Sequence, residues 1–185
     1  MSLLTPVLVT IGLANASATF VAIVWSIINP SQRIWPPKDY TFRTPYMVWI
    51  PTFMLSGIIV ALGILGWGDA ALPDWLRFGI GLPLIIVSNI AVWFEVSQFG
   101  IAQTGGAHGS LRTGGLYRFS RNPQYVADSV MVLGWLLLSS APLACLVGIP
   151  AIAVLVTAPF AEEPWLKERY GVAFDDYAKK VRRFI

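Results

Sequence analysis

Residues 122–162 read NPQYVADSVMVLGWLLLSSAPLACLVGIPAIAVLVTAPFAE, and the fold turns on how this stretch is divided. Between Arg121 and Glu162 the only charged residue is Asp128. A membrane-spanning helix needs about 20 mainly apolar residues, so the stretch is too long for one crossing. It breaks at Ser139-Ser140-Ala141-Pro142, which leaves two short apolar halves. We read them as a helical hairpin, near 124–139 and 143–160. Working outward, three more charge-free gaps appear: before Arg33, between Arg43 and Asp69, and between Arg77 and Glu95. Each holds one span, near 5–28, 46–67 and 78–98. The expected fold class is all-α: a polytopic membrane protein with five transmembrane helices, the last two a hairpin.

The basic residues test that count independently. Arg33, Lys38 and Arg43 lie between spans one and two; Arg112, Arg118 and Arg121 lie between spans three and four. Lys167, Arg169, Lys179, Lys180, Arg182 and Arg183 lie in the tail. Arg77, beside Asp69 and Asp74, is the one basic residue between spans two and three. Five spans put all 13 basic residues except Arg77 on one side. Because cytoplasmic loops carry the excess of Lys and Arg, this predicts an N-terminus outside and a cytosolic C-terminus. A single long fourth span would put the tail on the wrong side. The N-terminus lacks the basic region of a signal peptide and its apolar run is too long, so it reads as an uncleaved first span.

Composition agrees. Of 185 residues, 56% are hydrophobic and 12% charged, and the mean hydropathy is +0.65. An average soluble domain carries roughly 25% charged residues. This excludes a soluble enzyme and a disordered chain, and the length allows one domain, residues 1–185. Within it, residues 1–99 hold the three N-terminal spans and 100–185 the chemistry. The net charge of +3 reflects membrane topology and anionic headgroups, so nucleic acid is not an expected partner. One Cys, Cys145, and one His exclude a disulfide framework and most metal sites, and no metal is expected. Trp35-Pro36-Pro37, Trp49, Trp67 and Trp75 sit near span ends, where aromatic belts anchor a protein.

Two cytosolic segments carry polar chemistry. Residues 100–125 read GIAQTGGAHGSLRTGGLYRFSRNPQY, rich in Gly and without an acid. Gly114-Gly115 lets backbone amides approach a ligand closely. Pro123 suits the first turn of span four, and with Arg121 beside it that helix start favours a carboxylate or phosphate. Tyr125 and Asp128, three apart, share a helix face. An acid inside an apolar helix is costly unless it is paired or faces a polar cavity. Either the two line a pocket, or Asp128 pairs with Arg121. His108 is the one histidine. The second segment, residues 162–185, reads EEPWLKERYGVAFDDYAKKVRRFI. Glu162 and Glu163 are adjacent and repel, so a cation or hydroxyl donors would relieve them. The rest reads as an amphipathic cytosolic helix with Phe174, Tyr177 and Val181 in a stripe lying on the membrane. Glu95 ends span three and either faces the same cavity or snorkels to the interface.

His108, Leu111, Thr113, Gly115, Tyr117, Arg118, Arg121, Asn122, Pro123 and Tyr125 form a pattern. Glu162-Glu163, Leu166, Tyr170-Gly171, Phe174, Tyr177, Val181 and Arg183-Phe184-Ile185 form a second. Together they resemble the signature of the isoprenylcysteine carboxyl methyltransferase and phospholipid methyltransferase group. The resemblance covers roughly residues 100–185. It implies an integral membrane enzyme that uses S-adenosylmethionine to methylate a lipid-like or small hydrophobic acceptor, with membrane lipids as surroundings. It implies that His108, Gly115, Tyr117, Arg121, Asn122, Pro123 and Tyr125 line the cofactor site, joined by Glu162 or Glu163, with Arg183 closing it. An amine acceptor must lose a proton first, and Asp128, Glu95 or a tail Glu would take it. Many members of the group have His where this chain has Asn122; Asn is common in the phospholipid branch, which favours an amine lipid. A rival resemblance exists. Asn122 to Asp128, followed by Gly134-Trp135, looks like the pattern of multi-span sterol and steroid reductases, and implies NADPH as cofactor.

Overall fold

The computed structural model describes residues 3–99 and 109–185. Among the described residues every regular element is helical. Helix α1 is Leu4–Ile28, followed by a 3-10 turn at Pro30–Gln32, and α2 is Thr44–Leu65. A turn at Asp74–Leu76 and a π-helical stretch at Arg77–Gly81 lead without a break into α3, Leu82–Phe99. A 3-10 turn at Gly115–Arg118 precedes α4, Pro123–Ser139. Helix α5 is Pro142–Tyr170 and α6 is Val172–Lys180.

Among the described residues four helical runs are long and apolar enough to cross a membrane: Leu4–Ile28, Thr44–Leu65, Asp74–Ser97 and Pro142–Tyr170. Their outward faces are apolar too, with Val21, Phe53, Val87 and Ile149 each more than 60% exposed. Helices hydrophobic all round belong in lipid, so this is an integral membrane protein. At 17 residues, α4 is shorter, about 26 Å.

Helix α4 packs on α3, α1 on α5, and the two pairs meet through α4 and α5. Ile58 and Leu62 of α2, Leu136 of α4, and Ala144 and Val147 of α5 form the main core. The α3–α4 contact depends on absent side chains: a Cβ on Gly134 would lie 2.9 Å from the Gly81 carbonyl oxygen.

The hairpin break falls where the sequence places it. Ser140 takes a left-handed φ of 53° at the end of α4, and Pro142 opens α5. The turn is locked from the connection between α2 and α3. Gly68 and Ala70 donate backbone N–H groups to the Ser139 and Ser140 carbonyls at 2.8 Å each, and Arg77 Nε donates to Leu138 O at 3.0 Å. Arg77 therefore shares one end of the bundle with the hairpin turn. At the opposite end, Arg33 pairs with Glu168 at 2.7 Å and Arg121 with Glu163 at 3.0 Å. The segments that hold the remaining basic residues meet there, as the charge map requires.

Two expectations change. Helix α5 does not stop near 160 but runs to Tyr170, through Pro150, Pro159 and Pro164. It is about 44 Å long and carries Glu162 and Glu163 on a continuous helix. The Phe174–Tyr177 stripe of α6 does not lie on lipid. Both side chains are buried in the protein, and Val181 is half-buried.

Candidate active site at the basic end of the bundle

Successive residues on an α-helix point about 100° apart. Placing Glu162 and Glu163 on α5 therefore sends the two acids different ways, and each finds its own donors. Glu162 Oε1 accepts the indole N–H of Trp35 at 2.8 Å and the hydroxyl of Tyr125. Tyr125 comes from the first turn of α4 and packs with Ile23 of α1 and Val154 of α5. Trp35 follows α1, and its segment folds back because Ser26 Oγ accepts the backbone N–H groups of Ile34 and Trp35 at 2.9 and 3.0 Å.

Glu163, 8% exposed, faces two guanidinium groups. Arg121 Nε and Nη2 donate to its two oxygens at 3.0 Å each, and Arg183 Nη2 donates at 2.7 Å. The hydrogen bond to Glu163 raises the Arg183 pKa further. Arg183 also lies over the Phe160 ring, 4.1 Å from its centroid. Arg121 Nη1 donates to Ala178 O and Val181 O at 3.0 and 2.8 Å, where α6 ends and its carbonyls lack helical partners. Four of the five guanidinium N–H donors of Arg121 are thus engaged within the protein. Its backbone N–H donates to Arg182 O at 2.8 Å, and Asn122 Nδ2 donates to Arg183 O at 3.1 Å. In this arrangement Arg121 and Asn122 brace the tail. The sequence had suggested Arg121 for a cofactor carboxylate.

Glu95 forms the third side. It is 3% exposed at the end of α3, and its Oε1 accepts the Leu116 N–H at 3.1 Å. Gly115 makes the approach possible: its φ is +60°, and a Cβ there would meet Glu95 Oε1 at 3.3 Å. Tyr117 lies near both inward acids. Burial pushes its phenol above the usual tyrosine range, and the charges of Glu162 and then Glu95 add to the shift. Tyr177 of α6 donates to Tyr117 O at 2.7 Å, and burial pushes its own pKa up to about 12.

Asp128 makes no hydrogen bond or ion pair among the described residues, and Arg121 is given to Glu163 instead. On α4, Tyr125 and Asp128 face away from Pro123, Val126, Ala127 and Val130, which line an apolar groove against α3. Pro123 is buried in the first turn. His108 lies outside the described residues. Among the described residues no group of three or more His, Cys, Asp or Glu is arranged to hold a metal. Sequence reasoning missed Trp35, which it took for a belt anchor, and Ser120, whose hydroxyl donates to Arg183 O at 3.2 Å. The Trp-Pro-Pro run was the visible signal for the first; nothing marked the second.

Comparison with known proteins bears on the same region. A steroid 5-alpha-reductase, DET2 of Solanum lycopersicum, is 26% identical over 112 residues, 60% of this chain and 43% of that protein. The match thus spans less than half the length of that relative. No solved structure matches. The phospholipid methyltransferase family is matched over residues 76–173. That region holds Glu95, Tyr117, Arg121, Tyr125, Glu162 and Glu163, the residues whose contacts converge. It is more than half of the chain, which therefore belongs to the phospholipid methyltransferase family.

Proposed function

We propose that the protein transfers a methyl group from S-adenosylmethionine to a lipid-like or small hydrophobic acceptor at the cytosolic face of a membrane. In this reading α4 is a fifth crossing, the N-terminus is outside, and the C-terminus is cytosolic. The basic end of the bundle, apart from Arg77, then faces the cytosol. Residues 100–185 supply most of the site, and Trp35 and Glu95 join them from the N-terminal part of a single domain.

The observation that carries the reading is the pair of inward carboxylates, Glu162 and Glu95, flanking Tyr117 beside Tyr125 within the matched family region. Such a set suits the cofactor, because a carboxylate accepts from ribose hydroxyls and aromatic faces attract cations. S-adenosylmethionine supplies a sulfonium methyl, whose S–C bond breaks as the acceptor–C bond forms, the electron pair staying on sulfur. The protein's part is alignment and exclusion of water. Glu162, held by two donors, orients the bound cofactor. Gly115 and the Leu116 backbone N–H form a wall against Glu95. Glu163 with Arg121, Asn122 and Arg183 holds the tail over the site. For an amine acceptor the ammonium proton must leave before attack, and in this reading Asp128, on the Tyr125 face of α4, accepts it. Glu95 is the second candidate.

Purified protein in detergent is expected to bind S-adenosylhomocysteine at micromolar levels and to melt higher in its presence, since a ligand that binds the native state stabilises it. Glu162→Gln should weaken that binding about tenfold, as loss of a charged hydrogen-bond partner does. Lipid extracts incubated with labelled cofactor then identify the acceptor class. The likeness to a steroid 5-alpha-reductase favours a second reading, NADPH-dependent reduction of a lipophilic substrate. NADPH raising the melting temperature where S-adenosylhomocysteine does not would replace the first reading with the second.

A further inference from the structure

We infer that Trp35 is a positioning residue for methyl transfer, acting through its indole N–H on Glu162; this rests on the reading above. Trp35 lies outside the region matched to the family, and its ring alone suits membrane anchoring. Its geometry differs from that of Trp67 and Trp75, two others near span ends. Trp67 and Trp75 are 45% and 66% exposed, as belt residues are. Trp35 is only partly exposed, and its one polar atom is aimed at a carboxylate 2.8 Å away. Trp has a single donor and no acceptor, so a bond to Glu162 uses all of its polar capacity.

The segment that carries Trp35 is fixed on both sides of the ring. Ser26 Oγ accepts the Ile34 and Trp35 backbone N–H groups, and Pro36 is fully buried. The indole is therefore presented by a rigid turn. Tyr125, from α4, and Trp35, from the loop after α1, donate to the same oxygen, Oε1. Two donors on one oxygen fix the carboxylate's rotation and leave Oε2, which accepts no hydrogen bond among the described residues, as the edge directed at ligand. The Tyr125 hydroxyl alone would leave the carboxylate free to swing about that contact. A first-to-second span loop without any matched motif thus sets the orientation of a group on the fifth helix.

The test is S-adenosylhomocysteine affinity, by calorimetry on the full-length protein in detergent. Trp35→Phe keeps the ring and removes the N–H, and should raise Kd about tenfold, the scale of one hydrogen bond to a charged group. Trp35→His, which keeps a ring N–H, should recover part of the loss. In a Glu162→Ala background, which removes the acceptor, Trp35→Phe should change Kd by less than about twofold, because residues that act through one contact are not additive. Arg33→Met, which removes the pair with the exposed Glu168 two residues from Trp35 without touching Glu162, should bind within about threefold of the parent. An unchanged Kd in Trp35→Phe overturns the inference. So does a tenfold loss that persists in Glu162→Ala, or an equal loss in Arg33→Met, since each makes Trp35 a packing residue only. If the parent protein itself fails to bind S-adenosylhomocysteine, the methyl-transfer reading falls first, and this inference falls with it.

Discussion

Replacing Arg121 with Met tests whether the tail is held by one side chain. Arg121 makes two hydrogen bonds to Glu163 and two to the carbonyls of Ala178 and Val181. Its side chain is 13% exposed and that of Glu163 10%, so the bonds are poorly screened. Bonds to charged groups contribute about 1.5–3 kcal/mol each. The loss is not the sum of four. Glu163 keeps Arg183 at 2.7 Å, and the two carbonyls regain water when the tail lifts. We expect a cost of about 3 kcal/mol against tail opening, the lower end for breaking a buried ion pair. That raises the open population about a hundredfold. Hydrogen exchange reads such local opening directly. Peptides covering 172–183 should exchange about two orders of magnitude faster in Arg121→Met, while peptides from α1 and α2 stay unchanged. Arg121→Lys should fall between, since it keeps the charge without the fork. Arg118, an exposed neighbour, supplies the control: Arg118→Met should leave exchange alone. Exchange in Arg121→Met within about threefold of the parent would refute the brace.

Three further outcomes follow from the packing and the site. Gly134→Val places a side chain against the Gly81 carbonyl, only 2.9 Å from where Cβ would sit, and should destabilise by about 1–3 kcal/mol, read as a lower melting temperature. Tyr177 is held at about 12 by burial, whereas an unfolded tyrosine titrates near 10. Above pH 10 the unfolded chain loses that proton first, so stability is intact below 10 and declines as pH rises toward 12. Denaturation midpoints of the parent and Tyr177→Phe between pH 9 and 12 should show part of this decline removed in the variant. For an amine acceptor, Asp128→Asn should lower kcat by about a hundredfold while cofactor Kd is unchanged; equal kcat would exclude Asp128 as the base.

What the sequence makes legible here is the arrangement of charge. The Ser139–Pro142 break and the isolation of Arg77 are local or additive signals. The contacts of Arg77 with Leu138 and of Gly68 with Ser139 put the loop and the turn at one end. The length of α5 was hidden by its own prolines. Pro159 and Pro164 look like terminators, yet neighbouring elements support the helix through them, as in other membrane helices. The tail brace was hidden for another reason. Arg121 lies 42 residues from Glu163 and 57 from Ala178, and no periodicity relates groups that only the tertiary fold brings together. Trp35 was visible and misread, because a tryptophan near a span end carries the same sequence signal whether it anchors in lipid or holds a carboxylate.

The adjacent acids give the sharpest separation of roles. Had α5 ended at residue 160, Glu162 and Glu163 would sit in a loop and repel each other with no fixed directions. The helix points them about 100° apart, and their partners do not overlap: Trp35 and Tyr125 for one, Arg121 and Arg183 for the other. Neutralising each should therefore produce a different defect. Glu162→Gln should weaken S-adenosylhomocysteine binding while hydrogen exchange in 172–183 stays as in the parent. Glu163→Gln leaves two guanidinium groups without their shared carboxylate, and losing one partner of a buried pair costs about 3–5 kcal/mol. It should release the tail, with exchange in 172–183 rising more than in Arg121→Met because Arg183 loses its partner as well. If both variants show the same ratio of binding loss to tail release, the two acids act as one site and the division fails. If the ratios differ in the stated direction, Glu162 orients the ligand and Glu163 holds the tail closed, from one turn of a single helix.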